Sequence, residues 1–266
     1  MIMNDIFNFK RFGLLLKKTI LERPVQLMST TGLILAATLV IYALCLYYMS
    51  FQPAQNMAYI WGLVGGGCIL SSVVFGYFST NAQGSAYLTL PASAFEKWLC
   101  GIIIVGIFFP CIFLAFYRLV DMSFVTAYHN GLDKNNPAYK ELYNSVQYYP
   151  FNNNVAKQSD IFFVNFTGAM MVGALYFNRI AVIKTALVYF GALGLIYFLN
   201  LLLAHAFFSN VDDTFPFNNI FIKVGNENGS IELPHSFSNI TYYFFACIIP
   251  GVLWITTLIR LREKEI

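Results

Sequence analysis

The feature that most constrains this chain is the absence of any Asp, Glu, Lys or Arg between positions 24 and 95. A soluble domain carries about 25 % charged residues. Here the charged fraction of the whole chain is 11 % and the hydrophobic fraction is 58 %. Such a composition cannot cover a globule with water-compatible side chains, and it is too apolar for disorder. The sequence therefore excludes a soluble enzyme and predicts a polytopic membrane protein.

Six apolar segments are long enough to cross the hydrocarbon core, which takes about 20 helical residues. The fourth is the weakest, because it is short and contains Asn165 and Thr167, so five spans is the alternative. We predict an all-α membrane protein in which residues 1–266 form a single transmembrane domain. The predicted spans are 27–48, 60–78, 98–119, 161–177, 185–208 and 240–261.

The positions of Lys and Arg predict the orientation, because these residues concentrate on the cytoplasmic side of a membrane protein. With six spans and the N-terminus inside, eleven of the 16 Lys and Arg residues fall on the cytoplasmic side. Five spans would place Arg260, Arg262 and Lys264 outside, against this rule. We therefore expect both termini in the cytoplasm and the first span retained as an anchor.

Two outer loops are large enough to form small extracytoplasmic structures. The loop predicted at 120–160 is long, polar and rich in Asn and Tyr. The loop at 209–239 has apolar stretches at 221–224 and 230–233 around the Gly- and Asn-rich stretch 225–229. Two apolar stretches around a Gly-rich loop predict a hairpin.

The N-terminal segment 6–21 predicts an amphipathic helix that lies in the membrane interface. A basic face of such a helix contacts anionic headgroups. The simpler interpretation is that the positive residues only hold the N-terminus inside. One helical face carries Phe9, Phe12, Leu16 and Ile20, and the other carries Lys10, Arg11, Lys17 and Lys18, with Leu14 as an exception.

The connection between the second and third spans is polar and carries no charge before Glu96. Ser93, followed three residues later by Glu96, matches a capping box and predicts a helix that starts there and runs into the third span. Pro91 would end any helix that precedes it. The connection is therefore expected to form a short helix, a turn and a new transmembrane helix.

Residues 81–90 are the expected short cytoplasmic helix. An uncharged helix with Tyr87, Leu88 and Leu90 suits a docking surface for another protein. An ordinary connector between two spans is the alternative.

The stretch Leu90-Pro91-Ala92-Ser93-Ala94-Phe95-Glu96-Lys97 follows an amphipathic N-terminal segment within a six-span chain. This combination resembles the permease subunits of ABC-2-type transporters, which often carry a Leu-Pro-x-Ser-x-x-Glu-Lys-like stretch at this place. The resemblance implies that 6–21 is an elbow helix and that 81–90 is a coupling helix docked on an ATPase. The implied coupling residues are Tyr87, Leu88, Leu90, Pro91, Ser93 and Glu96, and the implied elbow residues are Phe9, Lys10, Arg11, Phe12, Leu16, Lys17 and Lys18.

The resemblance also implies the assembly and its location. Two permease subunits, identical or different, would pair with two ABC ATPase subunits that bind ATP and Mg. The chain itself has no Gly-x-x-x-x-Gly-Lys-Ser/Thr sequence and so has no P-loop of its own. The implied location is the bacterial inner membrane, with lipid around the spans.

No catalytic or metal-binding pattern is visible in the sequence. There is no Gly-x-Ser-x-Gly, no His-Glu-x-x-His and no carboxylate at mid-depth, which argues against an enzyme and against a proton-coupled transporter. The three histidines and five cysteines lack metal-ligand spacing, and no charge run suggests nucleic-acid binding. We expect no enzyme activity and no cofactor in this chain. A non-transporting scaffold or assembly subunit, with 120–160 binding a protein, is the alternative function.

Polar residues within or beside the spans carry further expectations. Arg118 and Asp121 are three residues apart and are expected to pair on one helical face. Asn165, Thr167 and Asn200 lie inside spans and are expected to hydrogen-bond to other helices, although they could line a translocation path.

Small residues and prolines predict local helix geometry. Gly62 and Gly66 form a GxxxG pair, which allows close helix approach within one subunit or across a dimer. Pro110 and Pro250 lie in the middle of spans and are expected to kink their helices.

Overall fold

The computed structural model describes residues 7–76, 84, 90–177, 181–208, 211–215, 219–224, 227–232 and 234–264. These residues are predominantly helical, and six helices among them are long and apolar enough to cross a membrane. The expectation of a helical, multi-pass membrane protein is confirmed at this level. Tyr87, Leu88 and most of the predicted coupling segment 81–90 lie outside the described residues.

Eight helices and three strands are named here in chain order. The first seven helices are α1 (Phe9–Glu22), α2 (Pro24–Tyr48), α3 (Phe51–Val74), α4 (Ala94–Gly131), α5 (Tyr139–Ser145), α6 (Asn154–Tyr176) and α7 (Ala181–Phe207). The last helix, α8, begins as His235–Tyr243 and ends as Ile249–Glu263. The strands are β1 (Val211–Phe215), β2 (Asn219–Val224) and β3 (Glu227–Glu232).

A sharp corner separates α1 from α2. The Asn8 side chain caps α1 by accepting hydrogen bonds from the backbone N–H groups of Lys10 and Arg11. Arg23 leaves the helical conformation, and Pro24 then opens α2. Proline fits the first turn of a helix, because the N–H it lacks would have no partner there.

Three of the long helices contain a π-helical stretch, at Trp61–Gly65, Ile104–Phe108 and Phe244–Ile248. Two of these stretches end two residues before a proline, Pro110 in α4 and Pro250 in α8. Proline has no N–H to donate to the preceding turn, so the helix ladder is interrupted there. A widened turn therefore lies just before each of these two prolines, and the kink itself stays a prediction.

The third membrane helix extends well beyond its predicted end. The helix α4 has 38 residues, or about 57 Å at 1.5 Å per residue, whereas the hydrocarbon core is about 30 Å thick. Since α4 continues through Gly131 and α6 begins at Asn154, the predicted loop 120–160 shrinks to 132–153 and contains α5. Hydropathy falls at Arg118 and Asp121, but a helical backbone satisfies its own hydrogen bonds in polar surroundings as well as in lipid.

The predicted hairpin is present as β2 and β3, which pair antiparallel from Asn219 with Glu232 to Val224 with Glu227. The reversal is shorter than predicted, because β3 already begins at Glu227 within the stretch 225–229. A further strand, β1, pairs antiparallel with β2 and completes a sheet of order β1-β2-β3. The two aspartates in its sequence, VDDTF, hid this strand from hydropathy.

At the centre of the bundle, α3 packs closely against α2 and α4. A Cβ added at Gly62 would lie 2.5 Å from the Phe113 ring of α4, and one at Gly66 would lie 2.5 Å from Ile34 of α2. The close approach predicted at Gly62 and Gly66 is therefore packing within one subunit. In contrast, no residue of the apolar window of α7 is buried, so this helix lies at the edge of the bundle.

Candidate functional site

The start of α4 forms a polar junction at the end of the bundle that carries α1, here called the α1 end. The Ser93 hydroxyl accepts a hydrogen bond from the Glu96 N–H at 3.2 Å, and the Ser93 N–H donates to the Glu96 Oε2 at 3.0 Å. Both hydrogen bonds of the predicted capping box are present. The motif therefore starts the third membrane helix as expected.

The same carboxylate also holds α1. The Asn8 N–H donates to the Glu96 Oε1 at 2.7 Å, and the Arg11 Nε donates to the Glu96 Oε2 at 2.6 Å. Glu96 is fully buried, whereas one third of the Arg11 side chain is exposed. Charge-assisted hydrogen bonds of this kind are among the strong ones in proteins, and they offset the cost of burying the carboxylate. One side chain thus joins the first turns of α1 and α4.

The face of α1 that packs against the bundle overlaps only in part with the predicted apolar face. Leu15 and Thr19 are buried, and Thr19 also accepts a hydrogen bond from the Cys100 thiol of α4 at 3.6 Å. Phe12, Leu16 and Ile20, three residues of the predicted apolar face, pack against the core. Phe9, the fourth residue of that face, is 82 % exposed, and Arg11 of the predicted basic face bonds to the buried Glu96. Lys10, Lys17 and Lys18 are exposed.

Leu90 and Pro91 lead into the junction from the segment between the second and third membrane helices. Leu90 packs against the core, while Pro91 is exposed. The Ala92 N–H donates to the Leu90 carbonyl at 2.7 Å, which makes a tight turn around Pro91. The described part of the predicted coupling motif is therefore a turn that is followed directly by the capping box.

A second buried carboxylate lies at the opposite end of the bundle, here called the sheet end. The Asp121 Oδ1 accepts hydrogen bonds from the Tyr42 hydroxyl at 2.9 Å and from the Gln55 Nε2 at 2.8 Å. The Asp121 Oδ2 accepts one from the Tyr149 N–H at 2.7 Å. Asp121 is fully buried, so three neutral donors from α2, α3 and the 132–153 connection replace its hydration.

The described structure contains no ion pair between Arg118 and Asp121, so this prediction is wrong. Arg118 donates to the Tyr149 carbonyl at 3.2 Å, and its guanidinium lies 4.9 Å from the centre of the Phe151 ring. Asp121 has its oxygens occupied by the three neutral donors. The two side chains thus hold the same connection at different points, and helical spacing alone does not distinguish this from a direct pair.

Further hydrogen bonds extend this network at the sheet end. The Gln55 Nε2 also donates to the Gln147 carbonyl at 2.9 Å, and the Tyr117 hydroxyl donates to the Gln55 carbonyl at 2.7 Å. Burial raises the pKa of Tyr149 to about 12. The Asn- and Tyr-rich composition of the connection was visible in the sequence, but the helix residues that anchor it were not.

The polar residues inside the spans mostly serve packing. The Asn165 Nδ2 donates to the Phe245 carbonyl of α8 at 2.8 Å, and the Asn200 Nδ2 donates to the Thr214 hydroxyl of β1 at 2.8 Å. Asn165 therefore bonds to another helix, as expected, whereas Asn200 bonds to a strand instead of a helix. Thr167 donates to the Phe163 carbonyl within its own helix at 2.6 Å, so the predicted interhelical bond is replaced by a local one.

The described residues contain no group of three His, Cys, Asp or Glu side chains that could hold a metal ion. His129 instead makes a structural contact: its Nε2 lies 3.2 Å from the Tyr143 carbonyl and 3.0 Å from the Val146 carbonyl. No protein-family model, curated protein or solved structure matches the chain. The most extensive polar contacts between helices in the described structure are therefore those of the two buried carboxylates, Glu96 and Asp121.

Proposed function

We propose that this chain is the membrane-spanning permease subunit of an ABC-2-type exporter. A separate ATPase subunit would bind ATP and Mg and would supply the energy that moves the substrate. The observation that carries the proposal is the Glu96 junction, in which one buried carboxylate joins an amphipathic N-terminal helix to the start of a membrane helix. This arrangement suits a chain that receives force at its cytoplasmic surface.

The mechanism proposed is mechanical. Closure of the ATPase dimer pushes residues 81–90, and the turn at Leu90 and Pro91 passes the force to the capped start of α4. Because Glu96 binds Arg11 as well as the cap, α1 moves with α4. The helix α4 then carries the displacement to Asp121, about 37 Å away at 1.5 Å per residue.

The proposed topology places the α1 end in the cytoplasm. Both termini, the exposed Lys10, Lys17 and Lys18 of α1, and Arg260 and Arg262 of α8 would then lie at the cytoplasmic surface, in agreement with the preference of positive residues for that side. The membrane proposed is the bacterial inner membrane. The assembly proposed is two permease subunits, identical or different, with two ATPase subunits.

The test is the replacement of Tyr87, Leu88 and Leu90 by alanine. The expected result is loss of the ATPase from a mild-detergent pull-down and loss of stimulated, vanadate-sensitive ATP hydrolysis. A matched control replaces Leu142 and Tyr148, two exposed residues of the 132–153 connection, and should leave both readouts unchanged. Unchanged ATPase binding and stimulation in the triple variant would refute the coupling surface.

A non-transporting scaffold is the second candidate, and the sheet end favours it. The 132–153 connection is held to α4 through Asp121 and Arg118 and to α3 through Gln55, and a small three-stranded sheet follows α7 in the chain. A fixed outer surface suits the binding of a protein partner. Purification of the wild-type chain without any nucleotide-binding protein would favour this candidate over the exporter.

A further inference from the structure

A cavity of about 660 Å³ opens at the α1 end between α2, α3, α6 and α7. Its volume lies within the range of about 300–1,000 Å³ that is typical of small-molecule sites. It forms because α7 lies at the edge of the bundle and because Gly76, two residues beyond the end of α3, has no side chain. A Cβ at Gly76 would meet no atom of the described chain within 4 Å.

The cavity is amphipathic. Its polar lining consists of Arg23, at the corner between α1 and α2, together with Gln26 and Ser72. Its apolar lining includes Ile69 and Val182, which are also exposed on the outside of the bundle. A ligand that fills it therefore needs a polar group at the membrane surface and an apolar part along the helices.

The charge around the cavity is positive. Lys184 lies with its Nζ 5.8 Å from the ring centre of Phe177, a lining residue, and Arg260 stacks at 4.5 Å on the adjacent Tyr176. Among the described residues, Glu263 pairs with Arg260, and the exposed Glu22 precedes Arg23 in the chain. Arg23, Lys184 and Arg260 thus outnumber Glu22 and Glu263, which favours an anion.

We infer that this cavity binds the phosphodiester headgroup of an anionic phospholipid. Arg23 and Gln26 contact the phosphate, and the first acyl carbons lie along Ile69 and Val182. Basic pockets between helices at the membrane surface are the sites that recognise anionic headgroups. The apolar half of the lining distinguishes a lipid from a free phosphate. The inference does not depend on the proposed transport function.

The test measures lipid bound to the full-length chain by native mass spectrometry, after delipidation and titration with phosphatidylglycerol. Arg23→Gln removes the cation, and Gly76→Leu fills the cavity without changing charge. We expect each to weaken phosphatidylglycerol binding about tenfold: Arg23→Gln because it removes a charge-assisted hydrogen bond, and Gly76→Leu because its side chain takes the space of the ligand. The control Lys17→Gln removes an exposed cation of α1 that lies outside the cavity and should bind like wild type.

Two further probes decide the ligand class. Phosphatidylcholine should bind at least tenfold more weakly than phosphatidylglycerol, and glycerol 3-phosphate should not displace phosphatidylglycerol. Equal binding of both lipids would overturn the assignment to an anionic headgroup, and displacement by glycerol 3-phosphate would identify a soluble phosphate site instead. Wild-type affinity in both cavity variants, or an equal loss in Lys17→Gln, would overturn the site itself.

Discussion

The helix α4 carries a fully buried carboxylate at each end, and the two are satisfied in different ways. Glu96 has one cationic partner, Arg11, together with two backbone N–H donors. Asp121 has three neutral donors and no ion pair among the described residues. A buried charge without a cation depends on every one of its hydrogen bonds. The sheet end should therefore be the rigid end of α4, and the α1 end the one that can move.

The exposure of the partners leads to the same conclusion. Arg11 is one third exposed, so water can replace part of its bond to Glu96 when α1 shifts. Around Asp121, by contrast, Tyr42 is completely buried and Gln55 nearly so. The difference matches the first step of the proposed mechanism, in which α1 and the start of α4 receive the force.

The largest effect is expected from Asp121→Ala. It leaves the donors of Tyr42, Gln55 and Tyr149 without their acceptor, and we expect the free energy of unfolding to fall by about 3–5 kcal/mol. Denaturant unfolding in detergent measures it. The control Asp133→Ala removes an exposed carboxylate of the same connection and should change stability by less than about 0.5 kcal/mol. A loss of unfolding free energy below about 1 kcal/mol in Asp121→Ala would contradict the inference that the sheet end is the more rigid end of α4.

The next effect tests the packing that connects the two ends. Gly66→Ala places a Cβ 2.5 Å from Ile34 and 2.8 Å from the Phe109 ring of α4, and we expect a loss of about 1–3 kcal/mol from overpacking. Gly191→Ala in α7 is the matched control, because its Cβ meets nothing within 4 Å. Helix propensity alone should make that variant neutral or slightly more stable. Equal behaviour of the two variants would contradict the close contact of α3 with α2 and α4.

A smaller effect is expected at the α1 end. A double-mutant cycle of Arg11→Gln and Glu96→Gln should give a coupling energy of about 1 kcal/mol, since one partner is partly exposed. In the proposed exporter, the same pair should uncouple ATPase stimulation from ATPase binding, because the proposed docking residues are unchanged while α1 no longer follows α4. A coupling energy near zero would show that the two helices are joined by packing alone.

The sequence predicted the features that depend on local pattern. Apolar length indicated the six membrane helices, and the spacing of Ser93 and Glu96 indicated the helix start, because both signals lie within one element. The Glu96–Arg11 pair was not predictable, since 85 residues separate the two side chains. The same holds for Asp121, whose donors come from three separate parts of the chain.

The boundary of α4 was missed for a different reason. Hydropathy reports which residues prefer lipid, and it falls at Arg118 and Asp121. Whether the backbone stays helical beyond that point depends on tertiary contacts, such as the burial of Tyr117, Val120 and Val125 on one face of α4. The interface between α1 and α4 illustrates the same limit, because a hydrophobic face can be predicted but its rotation toward a partner cannot.

The effect that is smallest near neutral pH concerns the alkaline limit of the sheet end. Because burial raises the pKa of Tyr149 to about 12 from about 10 in an unfolded chain, the folded state favours the neutral phenol. The contribution of the neutral Tyr149 phenol to the free energy of unfolding is complete below pH 10 and is lost as the pH rises through about 12. Tyr149→Phe should therefore release about one proton fewer on unfolding in this window, with little change in stability at pH 8. If Tyr149→Phe and the wild type showed the same slope of unfolding free energy against pH between 10 and 12, Tyr149 would be open to water. The sheet end would then be less rigid than the burial of Asp121 indicates.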